Sequence, residues 1–167
     1  MKANKIIVVL DTNIYGWYQD YVEKGVRTPE AVSAFDLMTK IFKGRDKIQV
    51  LGTETIEKEI KKAQQVELRG LFYSTINGLI RNSKNVIGLS EEYFNECRKE
   101  GLRFVTLADC ETVAASAVAG LRSLVTENRK SLNHPKVKGA FRKINSKRKL
   151  REVEIKNCKG FIGETYG

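Results

Sequence analysis

The stretch Ile6-Ile7-Val8-Val9-Leu10, closed at once by Asp11, limits the fold more than any other part of the chain. Five consecutive apolar residues, four of them β-branched, leave no polar face to turn towards water. A strand of this kind is buried on both sides, as in the interior of a parallel sheet covered by helices. The carboxylate that follows it stands at the carboxyl end of that sheet, where open α/β sheets bind their ligands. The residues placed directly after each further strand are therefore the ones to watch.

Helical and extended segments alternate along the rest of the chain. Thr28, Pro29 and Gly44 supply a cap, a first-turn proline and a stop for a helix over 29–43, with Val32, Phe35, Met38 or Thr39, and Phe42 on its buried side. Residues 48–51 read as a second strand, Thr53 opens a helix to about Ala63, and a further helical stretch covers 66–81. Residues 85–89 read as a third strand, with Ser90 capping a helix that ends at Gly101. Phe104 to Leu107 is ambiguous. An alanine-rich helix runs from Cys110 to about Leu121, followed by a strand at 123–126 and another near 152–156. Strands separated by helices predict an α/β sandwich with a mainly parallel central sheet, here as one domain over 1–167.

The totals restrict the class of protein. An apolar content of 41% supports a core, and Ile6–Leu10 is too short for a signal-peptide core or a membrane span, so a soluble, cytoplasmic protein with no membrane partner is expected. Cys97, Cys110 and Cys158 form no CxxC pair and read as buried thiols rather than a disulfide frame or zinc site. No Gly-rich phosphate loop is present, and His134, the only histidine, has no nucleophile elbow beside it, so a loop histidine that is exposed or touches phosphate is expected there.

Several acids fall at strand ends or helix starts. Asp11 follows the first strand, with Asn13 two residues on. Glu59 lies beside Ile60 at the margin of a stripe formed by Ile56, Ile60 and Ala63. Asp109 opens the alanine-rich helix with Glu111 just beyond it, and Thr126-Glu127-Asn128 follows a later strand. Each acid has an ordinary reading: Asp11 and Asp109 as helix caps, Glu59 as half of an ion pair. Gathered at one edge they repel one another unless a divalent cation joins them, and oxygen-only ligands suit Mg²⁺ or Mn²⁺. Such an ion activates water and stabilises a phosphate in transit, which is the chemistry of phosphodiester hydrolysis.

The charge distribution points the same way. Residues 1–128 carry 18 Lys and Arg against 17 Asp and Glu, whereas 129–167 carry 12 against 3. Between His134 and Arg151 stand Lys136, Lys138, Arg142, Lys143, Lys147, Arg148, Lys149 and Arg151, with no acid among them. A polyanion such as RNA is the natural partner of this block, and a solvated basic segment is its ordinary alternative.

In order and content these segments resemble the PIN-domain ribonuclease family. The resemblance rests on Ile-Ile-Val-Val-Leu-Asp-Thr-Asn (6–13), Val-Leu-Gly-Thr-Glu-Thr-Ile-Glu-Lys-Glu-Ile (50–60), Leu-Ala-Asp-Cys-Glu-Thr-Val-Ala-Ala (107–115) and Ser-Leu-Val-Thr-Glu-Asn (123–128), with an echo near 153–162. It implies a Rossmann-like three-layer α/β/α fold and an endoribonuclease whose acids bind Mg²⁺ or Mn²⁺. Asp11, Glu59 and Asp109 match the three acids, with Asp11 and Asp109 on the metal. Asn13, Thr126 and Asn128 match the residues that position water or phosphate. Asn128 departs from the family's usual aspartate, and Glu111 is a possible substitute. Family members include toxins held by an antitoxin peptide and enzymes that process ribosomal RNA, and homodimers are frequent. Here Leu71-Phe72-Tyr73 is either a dimer surface or ordinary core. Two rivals stand beside this reading. One is a PIN-like RNA-binding protein without turnover. The other is a phosphatase of the haloacid-dehalogenase kind, which lacks its second aspartate because Asn13 stands there.

Overall fold

A computed structural model describes residues 4–167. Its centre is a five-stranded sheet, ordered β3-β2-β1-β4-β5, in which every pairing is parallel. The strands are β1 (Ile6–Leu10), β2 (Ile48–Thr53), β3 (Gly78–Ile80), β4 (Ser123–Val125) and β5 (Glu154–Lys156). As its composition requires, β1 lies in the middle, with Val8 aligned to Val50 on one side and Leu10 to Val125 on the other. Val8, Val9 and Leu10 are fully buried.

Eight helices are found among the described residues: α1 (Thr12–Lys24), α2 (Pro29–Lys43), α3 (Glu54–Lys62), α4 (Val66–Thr75), α5 (Lys84–Lys99), α6 (Leu107–Val118), α7 (Pro135–Arg148) and α8 (Cys158–Tyr166). Parallel crossovers are right-handed, so α1–α4, which carry the chain from β1 to β2 to β3, cover one face. The chain then returns across the sheet, and α5, α6 and α7 cover the other face. The observed packing agrees, with α1 on α2 and α4, and α5 on both α6 and α7. The direction of travel reverses between β1 and β4, the point at which open α/β sheets place a ligand crevice beyond the carboxyl ends of their strands. Among the described residues no helix is long and apolar enough to cross a membrane.

Several elements differ from the sequence reading, each for a local reason. Residues 85–89 are not a strand but lie within α5, whose cap is Ser83 rather than Ser90. Val86, Leu89, Ser90, Tyr93 and Cys97 recur at helical spacing on its buried side, and Val86-Ile87 only mimics a strand. The stretch 66–81 is not one helix, because α4 stops at Thr75. Asn77 then clamps the next strand, its amide donating to the Val50 carbonyl at 2.7 Å and its Oδ1 accepting from the Val50 amide at 2.9 Å. In α2 the buried stripe is Ala31, Ala34, Leu37, Met38 and Ile41, whereas Val32 is exposed. Phe35 lies at the margin, stacked on Tyr18 and Tyr21 of α1. Ala63 is exposed at the end of α3 and takes no part in the stripe of Ile56 and Ile60. Helices α1 and α8 escape the sequence reading, although Asp11 reads in it as a helix cap. The basic segment is not a loop but helix α7, with His134 as its N-cap.

Phe72 is core, edge-on to Tyr15 at 5.4 Å, while Tyr73 beside it is exposed and donates to Glu57 at 3.1 Å. Gly52 of β2 allows this packing: a Cβ there would lie 2.8 Å from Phe72 Cζ and 3.2 Å from Leu79 Cδ1. Gly52→Ala is therefore expected to destabilise the protein by about 1–3 kcal/mol in urea unfolding, and Phe72→Leu in the same chain to recover part of the loss. An unchanged urea midpoint in Gly52→Ala would refute this account of the core.

Candidate active site

Asp11 is both the end of β1 and the cap of α1. Its backbone is extended at φ −67° and ψ 157°, and its amide donates to the Val125 carbonyl of β4 at 2.9 Å. Its Oδ1 accepts from the Thr12 amide at 2.8 Å. Its Oδ2 accepts from Thr126 Oγ1 at 2.8 Å and from Asn13 Nδ2 at 3.0 Å. Asn13 Nδ2 also donates to Thr126 Oγ1 at 2.9 Å, and its Oδ1 accepts from the Glu127 amide at 3.1 Å. Asn13 thus ties the start of α1 to the segment after β4. The Asn128 amide adds a bond to Thr126 Oγ1 at 3.1 Å, so the threonine hydroxyl gives one bond and accepts two.

Three more acids face this crevice from other segments, each oriented by a hydroxyl. Glu59, half-buried on α3, accepts from Thr12 Oγ1. It forms no ion pair with a lysine among the described residues, contrary to the ordinary reading of its position. Asp109 accepts from Ser131 Oγ at 2.8 Å and from the Thr106 amide at 3.0 Å. It is not the cap of α6: Thr106 is, and Asp109 closes a reciprocal capping box three residues in. Glu111, two residues further, accepts from Thr55 Oγ1 at 2.7 Å, and that hydroxyl accepts from Asn82 Nδ2 at 3.2 Å.

The electrostatics follow from burial and from likeness of charge. Asp11 is pushed up to about 6, first by burial and then by the charges of Glu59 and Asp109, against the lowering bonds from Thr126 and Thr12. Glu59 is raised by burial, with Asp109 and Glu111 adding to the effect. Even so, no three His, Cys, Asp or Glu side chains among the described residues stand close enough to enclose an ion by themselves. The donor set still fits a hard cation, since Mg²⁺ commonly takes only one or two carboxylates and completes its shell with water and substrate phosphate.

Thr55 and Ser131 belong to this edge although sequence reasoning did not single them out, while Thr12 and Glu127 entered that reasoning only within the stretches Asp11-Thr12-Asn13 and Thr126-Glu127-Asn128, with no role given to either. Thr12 had a signal in its position next to Asp11; Thr55 and Ser131 had none. Glu127 points away from the crevice, its Oε1 accepting from the Cys158 amide at the start of α8 at 2.8 Å. All three cysteines are free and buried.

The basic block divides. Arg142 pairs with Glu152, Lys143 with Glu96 and Glu100, and Arg148 with Glu92. Lys136 and Lys138 lie in the first turn of α7, five and seven residues after the Ser131 that bonds Asp109. Thirteen residues of helical rise, roughly 20 Å, carry Lys149 towards the opposite edge.

A five-stranded parallel sheet in this order, with acids gathered where the strand order reverses, is the PIN-type α/β/α fold. Three solved structures share it: VapBC2 from Rickettsia felis bound to a DNA fragment from their promoter, DNA-bound VapBC from Salmonella typhimurium, and FitAcB from Neisseria gonorrhoeae. Their TM-scores are 0.55, 0.52 and 0.51 at 17%, 14% and 13% identity. The matches cover 91%, 92% and 90% of this chain and 98%, 98% and 97% of theirs. The likeness is one of fold. No family profile and no curated protein matches the sequence.

The Asp11 carboxyl, ordinarily titrating at 3.8, does so at about 6 in the folded chain. Between those values the folded state keeps a proton that the unfolded state has released. Any stability linked to Asp11 is thus complete below about 4 and declines as the pH rises through about 6, by roughly 3 kcal/mol at most. In EDTA, the unfolding free energy of Asp11→Asn relative to wild type should therefore rise across this window. A pH-independent difference would show that Asp11 is not buried among like charges.

Proposed function

We propose that this protein is a metal-dependent endoribonuclease that hydrolyses RNA phosphodiester bonds at the Asp11 crevice. The observation that carries the reading is the convergence of Asp11, Glu59, Asp109 and Glu111 from three separate segments on one sheet edge, each turned by a hydroxyl donor. Carboxylates that raise one another's proton affinity are costly to keep together without a cationic ligand.

Asp11 and Asp109 would hold Mg²⁺ or Mn²⁺, with Glu59 or Glu111 completing the protein's share. The ion supplies Lewis acidity towards the phosphate and a more acidic bound water. Thr126 and Asn13 fix both the position and the rotamer of Asp11, so they act as positioning residues. Asn128, whose backbone amide donates to Thr126 Oγ1, brings a neutral carboxamide where an acid would add charge, so water and substrate phosphate would complete the metal's shell. Lys136 and Lys138, at the start of α7, meet the RNA backbone as it enters. An antitoxin peptide belongs to the same reading, because the structures sharing this fold include VapBC complexes. The alternative, an RNA-binding protein without turnover, rests on Asn128.

A labelled single-stranded RNA panel incubated with Mn²⁺, Mg²⁺ or EDTA tests this directly. Cleavage is expected with either metal, not with EDTA, and not with Asp11→Asn. Thr126→Val should retain roughly 1–10% of the wild-type rate, the usual cost of losing a bond that orients a metal ligand. RNA that is bound yet stays intact under every condition would favour the binding protein instead.

A further inference from the structure

The central strands of the sheet are each entered from a cation and left through an acid. Lys5 precedes β1 and Asp11 follows it. Lys47 precedes β2 and Glu54 follows it. Arg122 precedes β4, and Glu127 comes two residues after it ends. Because all the strands run the same way, the acids collect at the carboxyl edge and the cations at the amino edge. The edge strand β5 is approached through Arg151.

The amino edge is a continuous surface. Lys5, Arg122 and Arg151 line one hollow of about 390 Å³. Lys40, Lys43 and Lys47 line another of about 440 Å³, with the exposed ring of Tyr166. The two adjoin, since Ile6 of the first donates its amide to the Lys47 carbonyl at 2.9 Å. The end of α7 leads into this edge through Lys149, whereas Lys147 faces Glu92 and Glu96 of α5. Among the described residues, Lys5, Lys43, Lys47, Lys149 and Arg151 pair with no carboxylate, and Arg122 shares Glu154 with Lys156. Asp46 lines the second hollow, and Glu164 lines a third beside Ile6 and Arg122, where it pairs with Lys156.

We propose that this edge, across the sheet from the acids, is a second RNA-binding surface that grips the phosphate backbone of a structured region flanking the cleaved segment. Lys47, Lys5, Arg122 and Arg151 enter the adjacent strands β2, β1, β4 and β5, which lie roughly 4.8 Å apart, and so form a row of charge suited to a backbone rather than to one anion. Tyr166 beside Lys40 adds a flat ring on which a base can stack. Between this edge and Lys136 at the start of α7, the helix cations Arg142, Lys143 and Arg148 are paired with acids, so the amino edge is a surface separate from the start of that helix. The inference rests on the ribonuclease reading for its choice of RNA. It makes the substrate an RNA large enough to reach both edges, since β2 alone spans roughly 20 Å.

Binding in EDTA separates this surface from catalysis. A hairpin RNA with a single-stranded tail is titrated against wild type, a variant with Lys5, Lys47, Arg122 and Arg151 all changed to Gln, and a control with Lys24, Lys58, Lys99 and Lys159 changed to Gln. Thermal melting establishes that each is folded, and single substitutions replace any combination that is not. The first variant should bind about tenfold or more weakly, and its slope of log K against log salt should be shallower by about 3, as four lost phosphate contacts require. The control should lose much less. Equal losses in the two variants, or none in the first, would overturn the proposal. So would a DNA hairpin of the same sequence that binds as tightly as the RNA and responds identically. Failure of metal-dependent cleavage, with this binding result intact, would count against the nuclease reading alone.

Discussion

The Asp11 amide donates to the Val125 carbonyl, and the arrangement of the acidic edge follows from that ladder bond. It sets the end of β1 level with the end of β4, which puts Thr126 within reach of the Asp11 carboxylate. One hydroxyl then serves Asp11, Asn13 and Asn128 at once. A buried hydroxyl with all its bonds made is rigid, and rigidity here is passed to a carboxylate that burial alone would tend to neutralise. Asn13 closes the same circuit from α1, so strand, helix cap and loop share one network.

Burial of the acid works against stability, and the bonds from Thr126 and Thr12 offset only part of its cost. Asp11 is held among Glu59 and Asp109, and its charge is the less favoured form in the folded chain until the pH exceeds about 6. The opposing gain comes from a core in which Val8, Val9 and Leu10 are sealed by helices on both faces, with Tyr15 and Phe72 filling the space under α1 and α4. The hydroxyl donors Thr12, Thr55, Thr126 and Ser131 let the acids remain ordered without pairing to lysines. Lysine partners would have quenched the negative field at this edge.

The cations are handled differently. Helix α7 spends Arg142, Lys143 and Arg148 on acids of α5 and the following loop, which fastens it to the sheet's second helical layer. Lys143 meets a buried Glu96, and Tyr93 bonds Asn145 beneath it. What reads as one basic block is therefore partly structural cement, and its remaining charges are divided between the two edges. The sheet itself is polarised from end to end, acid at the outlet of its strands and base at the inlet.

Local order in the chain was enough to place β1 at the centre of a parallel sheet, to bound α2 between Thr28 and Gly44, to start α3 at Thr53, and to mark Asp11, Glu59, Asp109 and Thr126 as residues after strands or near helix starts. These are short-range properties: periodicity, caps and breakers act within a turn or two. The same local logic failed at 85–89, where a β-branched pair sits in a helix because Ser83 caps it and its other face finds α6. It failed at 78–80, where a three-residue strand exists only because Asn77 aligns it with Val50. Which hydroxyl meets which acid, which basic residues are already paired, and that Lys5, Lys47, Arg122 and Arg151 share an edge all depend on contacts between distant segments. Those pairings are set by the order of strands and the hand of the crossovers, and no window along the chain contains that information.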